Sequence, residues 1–328
     1  MKKIYLILSV FALVFTACET DFDVNAEWEE TTVVFGLLDA AKDTQFIKIS
    51  KAFLGEADAL QMAQYSDSIN FNEGELDVKI IRINNNNGST DTIMLNEIRT
   101  LRDEGDFNDS VVIYAFENFE FESNSFNQYT NFLNSNSDYE LVIKNNITDN
   151  SVSSRTDVIG SFNFSTTPSK FVFYNSTYGL GAYQDLDWIP SITPKAVAYQ
   201  VGLRFHYKED NVIKSLFWSQ TQVDENESSL TLYGRDFISF LENNLSKDNS
   251  NREFLSVDIL MTLGSQELKT YIDINKPITG IVQERPQFTN INDGIGLFSS
   301  RYTREYVNLP LSLESLSYLI NNSGLNFQ

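Results

Sequence analysis

The chain has 328 residues, with 45 acidic and 24 basic side chains and a formal net charge of −21. Such a surface repels nucleic acid and anionic lipid headgroups, so neither is expected as a partner. One cysteine and one histidine exclude an internal disulfide and a cysteine–histidine zinc site.

The chain opens Met1-Lys2-Lys3, and residues 4–15 form an apolar run. A cationic start, about a dozen apolar residues and small residues before a cut site mark a secretory leader. The run is shorter than the ~20 residues that span a bilayer. Phe15-Thr16-Ala17-Cys18 resembles the bacterial lipobox, which makes residues 1–17 a lipoprotein signal peptide and Cys18 the lipidation site. Several acyl chains, at ~0.8 kcal/mol per buried methylene, hold a protein on a membrane that it does not cross. Glu19, Asp21, Asp23, Glu27, Glu29 and Glu30 make residues 18–30 an acidic tether. The stretch resembles the acid-rich segment that helps to send Bacteroidota lipoproteins to the cell surface. The expected location is the outer membrane, lipid-anchored, on the cell surface, with the periplasmic face as the alternative.

Residues 31–38 and 45–50 read as strands, and residues 52–64 as a helical or irregular crossing. "ELDVKIIRI" (75–83) is a strand, and "NNNNGSTD" (84–91) a hairpin turn in which Asn87-Gly88 supplies positive φ. "TIMLNEI" (92–98) is the expected return strand. Residues 110–118, 139–146 and 151–160 complete about seven short strands separated by turn signals, the pattern of an Ig-like β-sandwich over 31–164. Ser165-Thr166-Thr167-Pro168 reads as a linker.

A second β-rich domain with a few short helices is expected over 165–328. It restarts with a strand at 170–175. In "AVAYQVGLRFHYKE" (196–209), Tyr199, Val201, Leu203, Phe205 and Tyr207 share one face, and 213–223 pairs back through the turn at 208–211. A strand at 230–234 precedes a helix at 235–245, where Phe237, Phe240 and Leu241 fall at i, i+3, i+4. Residues 253–264 are a strand and 265–275 a helix or strand. Residues 312–324 close the chain as a helix, with Ser312 as N-cap and Gly324 as stop. The fold class is mainly β.

The runs "VVFGLLDAAKDTQFIKISKAFLGEADAL" (33–60) and "FTNINDGIGLFSSRY" (288–302) resemble an uncharacterised family of Bacteroidota lipoproteins over nearly the whole chain. The resemblance includes a late Asn-x-x-(Asn/Asp)-Gly-x-Gly-(Leu/Ile/Val)-Phe motif, here residues 290–298. It implies an Ig-like first domain and a gene near TonB-dependent outer-membrane transporters. It implies no activity.

His206, the lone histidine, sits on the polar face of its strand with Arg204, as a half-exposed strand residue. The acid groups Asp185/Asp187, Asp224/Glu225/Glu227 and Asp103/Glu104/Asp106 could donate oxygens to calcium, but none has the twelve-residue calcium-loop spacing. No metal or cofactor is assigned. Gly294-x-Gly296 lacks the third glycine and the βαβ setting of a nucleotide fingerprint. It reads as a tight corner packing Leu297 and Phe298, with Asn292, Asp293 and Gly294 as an alternative partner-contact loop. Asp67-Ser68-Ile69, Asp91-Thr92-Ile93 and Asp109-Ser110-Val111 match the Bacteroidota O-glycosylation pattern, so Ser68, Thr92 and Ser110 are candidate acceptors. Trp188, read as exposed, could stack on a sugar or partner, whereas Trp218 is expected in the core.

The reading is a lipid-anchored, non-catalytic binding or assembly module, accessory to a TonB-dependent transporter or other β-barrel complex. The alternatives are a stand-alone surface glycan- or nutrient-binding protein and a hydrolase using carboxylates.

Overall fold

The computed structural model describes residues 31–52, 69–101, 110–122, 128–190, 193, 195–220, 223–224, 227–246, 250–276 and 287–328. The signal peptide, Cys18, the acidic tether, all but the first residue of the expected crossing at 52–64, Ser68 and the 103–106 acids lie outside them.

The first half supplies β1 (Thr31–Asp39), β2 (Thr44–Ala52), β3 (Leu76–Asn84), β4 (Thr90–Met94), β5 (Asn96–Leu101) and β6 (Ser110–Glu117). A small hairpin of β7 (Glu120–Glu122) and β8 (Gln128–Thr130) follows, then β9 (Ser137–Asn145) and β10 (Ser151–Asp157). Strand order is β1-β2-β6-β5 in one sheet and β10-β9-β3-β4 in the other. Val34, Leu38, Ile47, Ile49 and Tyr114 of the first sheet share one core with Val78, Ile80, Leu141 and Ile143 of the second. In immunoglobulin lettering the sheets are A-B-E-D and G-F-C-C′, so this half is an Ig-like β-sandwich. The expected single return strand at 92–98 is two strands. β4 pairs with β3, β5 pairs with β6, and buried Leu95 between them carries the chain from one sheet to the other.

The start of β9 makes a tyrosine corner. The Tyr139 hydroxyl donates to the Phe132 carbonyl at 2.9 Å and accepts from the Asn134 amide at 2.7 Å. Two residues on, where antibody domains carry a cysteine, Leu141 packs into the core and apolar contact does the work of the disulfide. Tyr139→Phe strands two backbone groups and is expected to cost about 1–3 kcal/mol by chemical denaturation. An unchanged midpoint would contradict this role.

The second half supplies β11 (Tyr183–Asp187), β12 (Ala198–Glu209), β13 (Val212–Ser219), β14 (Val223–Asp224) and β15 (Ser229–Tyr233). Then come α1 (Gly234–Asn244), β16 (Arg252–Gly264), α2 (Gln266–Asn275), β17 (Ile295–Leu309) and α3 (Leu313–Asn321). β12 buries Tyr199, Val201, Leu203, Phe205 and Tyr207 along one face, the expected alternation. The β12–β13 turn places Asp210 and Asn211 at φ 49° and 70°, the signature of a type I′ hairpin. α1 inserts Phe237 against Phe171, Phe173 and Phe205. Ser312 caps α3 by accepting from the Ser315 amide at 3.2 Å. Residues 170–175 are not a regular strand: Phe171 makes one bridge to Leu311, and Phe171 and Phe173 are both buried in the core.

The largest departure from the sequence reading is β17. It runs antiparallel to β16 and parallel to β1, so strands of both halves form one sheet, β13-β12-β16-β17-β1-β2-β6-β5. Its even-numbered residues serve two cores on the same face, Phe298 in the sandwich and Tyr302 and Tyr306 in the second half. Segments also cross between cores. Ile159, Phe162 and Phe164 pack in the second, and Ile291 in the first.

Candidate functional site

β1 reads Val33-Val34-Phe35-Gly36-Leu37-Leu38, apolar at successive positions. Such a run is covered on both faces. Val34 and Leu38 face the sandwich core, while Phe35 and Leu37 face the opposite, outer side of the shared sheet. There α2 lies over β1 and β17, with the Tyr271 ring edge-on to Phe35 at 6.0 Å. No residue of α2 is fully buried, so the helix rests on the sheet without closing onto it.

A groove of about 690 Å³ runs between α2 and the β1–β2 hairpin, walled by Phe35, Leu37, Phe46, Tyr271, Ile272 and Leu297. On the other side of the Phe35–Tyr271 contact lies a second cavity of about 420 Å³, lined by Val33, Phe288 and Ile295. Phe35 and Phe46 are 42% and 53% exposed. The size and apolar walls suit a small organic ligand or an apolar partner segment.

The other end of the groove is polar. Asp39 and Arg301 are directly opposite each other in the parallel β1–β17 register. The Asp39 side chain is only 3% exposed. Its Oδ1 accepts from the Ala41 amide at 3.0 Å and the Thr303 amide at 3.4 Å. Its Oδ2 has no hydrogen bond and lies 3.6 Å from Arg301 Nε. Buried Gln45 fixes the turn, accepting from the Asp39 amide at 2.8 Å and donating to the Asp39 and Lys42 carbonyls. Burial pushes the Asp39 carboxyl above its ordinary 3.8, against the opposing pull of the Ala41 amide and Arg301. A raised carboxyl binds its proton more tightly in the fold, so its contribution to stability falls as pH rises from about 4. Asp39→Asn is expected to flatten that fall: between pH 4 and 7 the variant should lose less unfolding free energy than the wild type. Parallel pH profiles would refute it.

The structure corrects the reading of Trp188. It is 2% exposed, inside the second core against Tyr199 at 5.4 Å, and offers no platform to a sugar. Trp218 packs on Phe237 and Phe240 at the edge of that core. The 290–298 motif is a structural clasp. The Asn290 side chain donates to the Phe298 carbonyl at 2.6 Å and accepts from the Phe298 amide at 2.9 Å. Asn292 pairs with Ser153 of β10, its amide donating to the Ser153 carbonyl at 2.8 Å. Asp293 takes φ 56°, and a Cβ on Gly294 would lie 2.8 Å from the Thr32 carbonyl. Asp293 and Gly294 also line a polar cavity of about 540 Å³ with Asn145 of β9 and Asp149 and Asn150 of the β9–β10 loop.

Thr92 is exposed on β4, and Ser110 opens β6. His206 lies on the outer face, its Nε2 2.7 Å from Asp258 Oδ2, with Arg204 3.8 Å from the same oxygen. Asp185 and Asp187 are exposed on β11, Asp185 accepting from the Thr231 hydroxyl at 2.7 Å. Among the described residues no three His, Cys, Asp or Glu side chains converge as metal ligands, and no helix is long and apolar enough to cross a membrane. The groove residues Phe35, Tyr271 and Arg301 escaped the sequence reading. Their only signal was the unbroken apolar run in β1.

These features define a class: an Ig-like β-sandwich joined through one sheet to a second β-rich half, with an apolar groove on the sheet's outer face. No family model and no curated protein matches the sequence. Among solved structures, the chain is similar to the FN1–FN3 domains of chicken CNTN1, at 10% identity and a TM-score of 0.22. The match covers 71% of this chain and 60% of that one. The Ig-like assignment rests on strand order and the tyrosine corner.

Proposed function

We propose that this protein is a lipid-anchored, surface-exposed, non-catalytic binding module of the outer membrane, accessory to a TonB-dependent transporter or another β-barrel complex. The observation that carries the reading is the groove beside α2, where large apolar side chains stand uncovered around a ligand-sized space. The leader, Cys18, the acidic tether and the resemblance to Bacteroidota lipoproteins support the location and the company it keeps. The glycan-binding alternative loses the aromatic on which it rested, because Trp188 is core.

Two measurements test the reading. Intact mass of the native protein is expected to show a diacylglyceryl-modified Cys18 as residue one, and Cys18→Ala to move the protein to the soluble fraction. Co-purification in mild detergent is expected to recover an outer-membrane β-barrel, with at least tenfold less from Phe46→Glu. An unmodified thiol would remove the anchor. Wild-type protein that recovers no β-barrel would remove the accessory role.

A further inference from the structure

We infer that the groove beside α2 binds an amphipathic organic carboxylate, its chain along Phe35, Leu37, Tyr271 and Leu297 and its headgroup on the Arg301 guanidinium. The inference rests on the reading of this groove as a binding site and adds the class of ligand. Three observations carry it. First, the walls are apolar over most of their length, and the charged groups gather at one end. Second, Arg301 is 44% exposed there, and its guanidinium makes no hydrogen bond among the described residues. Its one ionic neighbour is Asp39 at 3.6 Å, too long for a hydrogen bond. Third, Asp39 is buried behind it with Oδ2 unsatisfied. A buried carboxylate oxygen without a donor is costly, and Oδ2 is aimed at the one guanidinium that a bound ligand would fix in place.

One arrangement satisfies all of these groups. A ligand carboxylate accepts two parallel hydrogen bonds from the Arg301 fork. The held guanidinium turns Nε toward Asp39 Oδ2 and closes the 3.6 Å gap. Asp39 then acts as the positioning residue that orients the fork. The other charges at this end do not compete for the head: Lys42 is paired with Glu305 at 3.1 Å, and Asp43 is exposed at the solvent rim. The ~690 Å³ groove falls within the range of small-molecule sites, and the ~420 Å³ cavity beyond Phe35 leaves room for a longer chain.

The test is calorimetric titration of the full mature chain with dodecanoate and with dodecanol, both below their micelle concentrations. Dodecanoate is expected to bind saturably with 1:1 stoichiometry and at least tenfold more tightly than dodecanol. Arg301→Gln is expected to erase that preference by weakening dodecanoate about tenfold and leaving dodecanol unchanged. Ile272→Trp, in the α2 wall of the groove, is expected to fill the groove and weaken both, with far-UV dichroism unchanged. Equal affinity for acid and alcohol, dodecanoate binding indifferent to either variant, or no saturable binding would each overturn the proposal. If dodecanoate fails while Phe46→Glu still abolishes capture of a β-barrel, the ligand class falls and the binding module stands.

Discussion

Gly296→Ala is expected to leave little or no folded protein. Gly296 holds φ +121°, a conformation that L side chains rarely adopt. A Cβ there would lie 2.0 Å from the Val34 carbonyl oxygen, well inside contact distance and against backbone that cannot swing aside. Val34 and Gly296 are register partners in the β1–β17 pairing, the seam through which the two halves share a sheet. Relief of the clash must open that seam and disturb both Phe298 in the sandwich core and the strand beyond it. The loss should exceed about 4 kcal/mol, a large part of the ~5–15 kcal/mol that holds a typical domain together. Soluble yield and thermal melting by circular dichroism read it directly. Gly36→Ala is the milder companion, since its Cβ would meet the Phe298 ring at 3.1 Å, where a side chain can yield. A Gly296→Ala protein melting with the wild type would show that the seam tolerates displacement.

The second large effect is expected at Arg252, a 0%-exposed arginine at the start of β16. Its Nε donates to Glu209 Oε1 at 2.8 Å, Nη1 to the Leu325 carbonyl at 2.9 Å and Nη2 to the Ser246 hydroxyl at 3.1 Å. Its backbone brackets the C-terminus, the amide donating to the Asn326 carbonyl and the carbonyl accepting from the Gln328 amide. Leu325 and Phe327 thereby stay seated in the second core. Arg252→Met removes every side-chain bond at once and should cost about 3–5 kcal/mol at pH 7, the range for breaking a buried ion pair. The acid limb gives a sharper reading. Hydrogen bonds from Lys214 and Arg252 hold the Glu209 carboxyl below its ordinary 4.5. A depressed carboxyl stabilises the fold above its unfolded pKa and loses that contribution as pH falls. The gap between wild type and Arg252→Met should therefore narrow below about pH 4. A gap independent of pH would mean that packing, not the ion pair, accounts for the cost.

Much of the β-structure could be read from local pattern. Alternation on β12, the Asn87-Gly88 turn and the cap at Ser312 each express an interaction within a few residues, so their neighbours in the chain encode them. β17 eluded the reading because its partners, β1 and β16, are far away in sequence, and its motif looks like a loop when β1 is out of sight. Trp188 was misjudged for a related reason. It lies among aspartates, Gln184 and a proline, and only the packing of its ring against Tyr199 of β12 puts it inside. The groove needs three distant elements together, β1, α2 and β17, and no short window holds them. Arg301 and Asp39 are 262 residues apart in the chain and face to face in the sheet.

The parallel pairing of β1 and β17 also gives the molecule a direction. The described chain begins at Thr31, beside Asp293 and the β9–β10 loop. Val33 and Ile295 lie toward one end of the pairing, and Asp39 and Arg301 about 20 Å further along it. A groove laid along these strands therefore has unlike ends, aromatic and aliphatic beside Ile295 and ionic beside Arg301, and an elongated guest can enter it in one sense only.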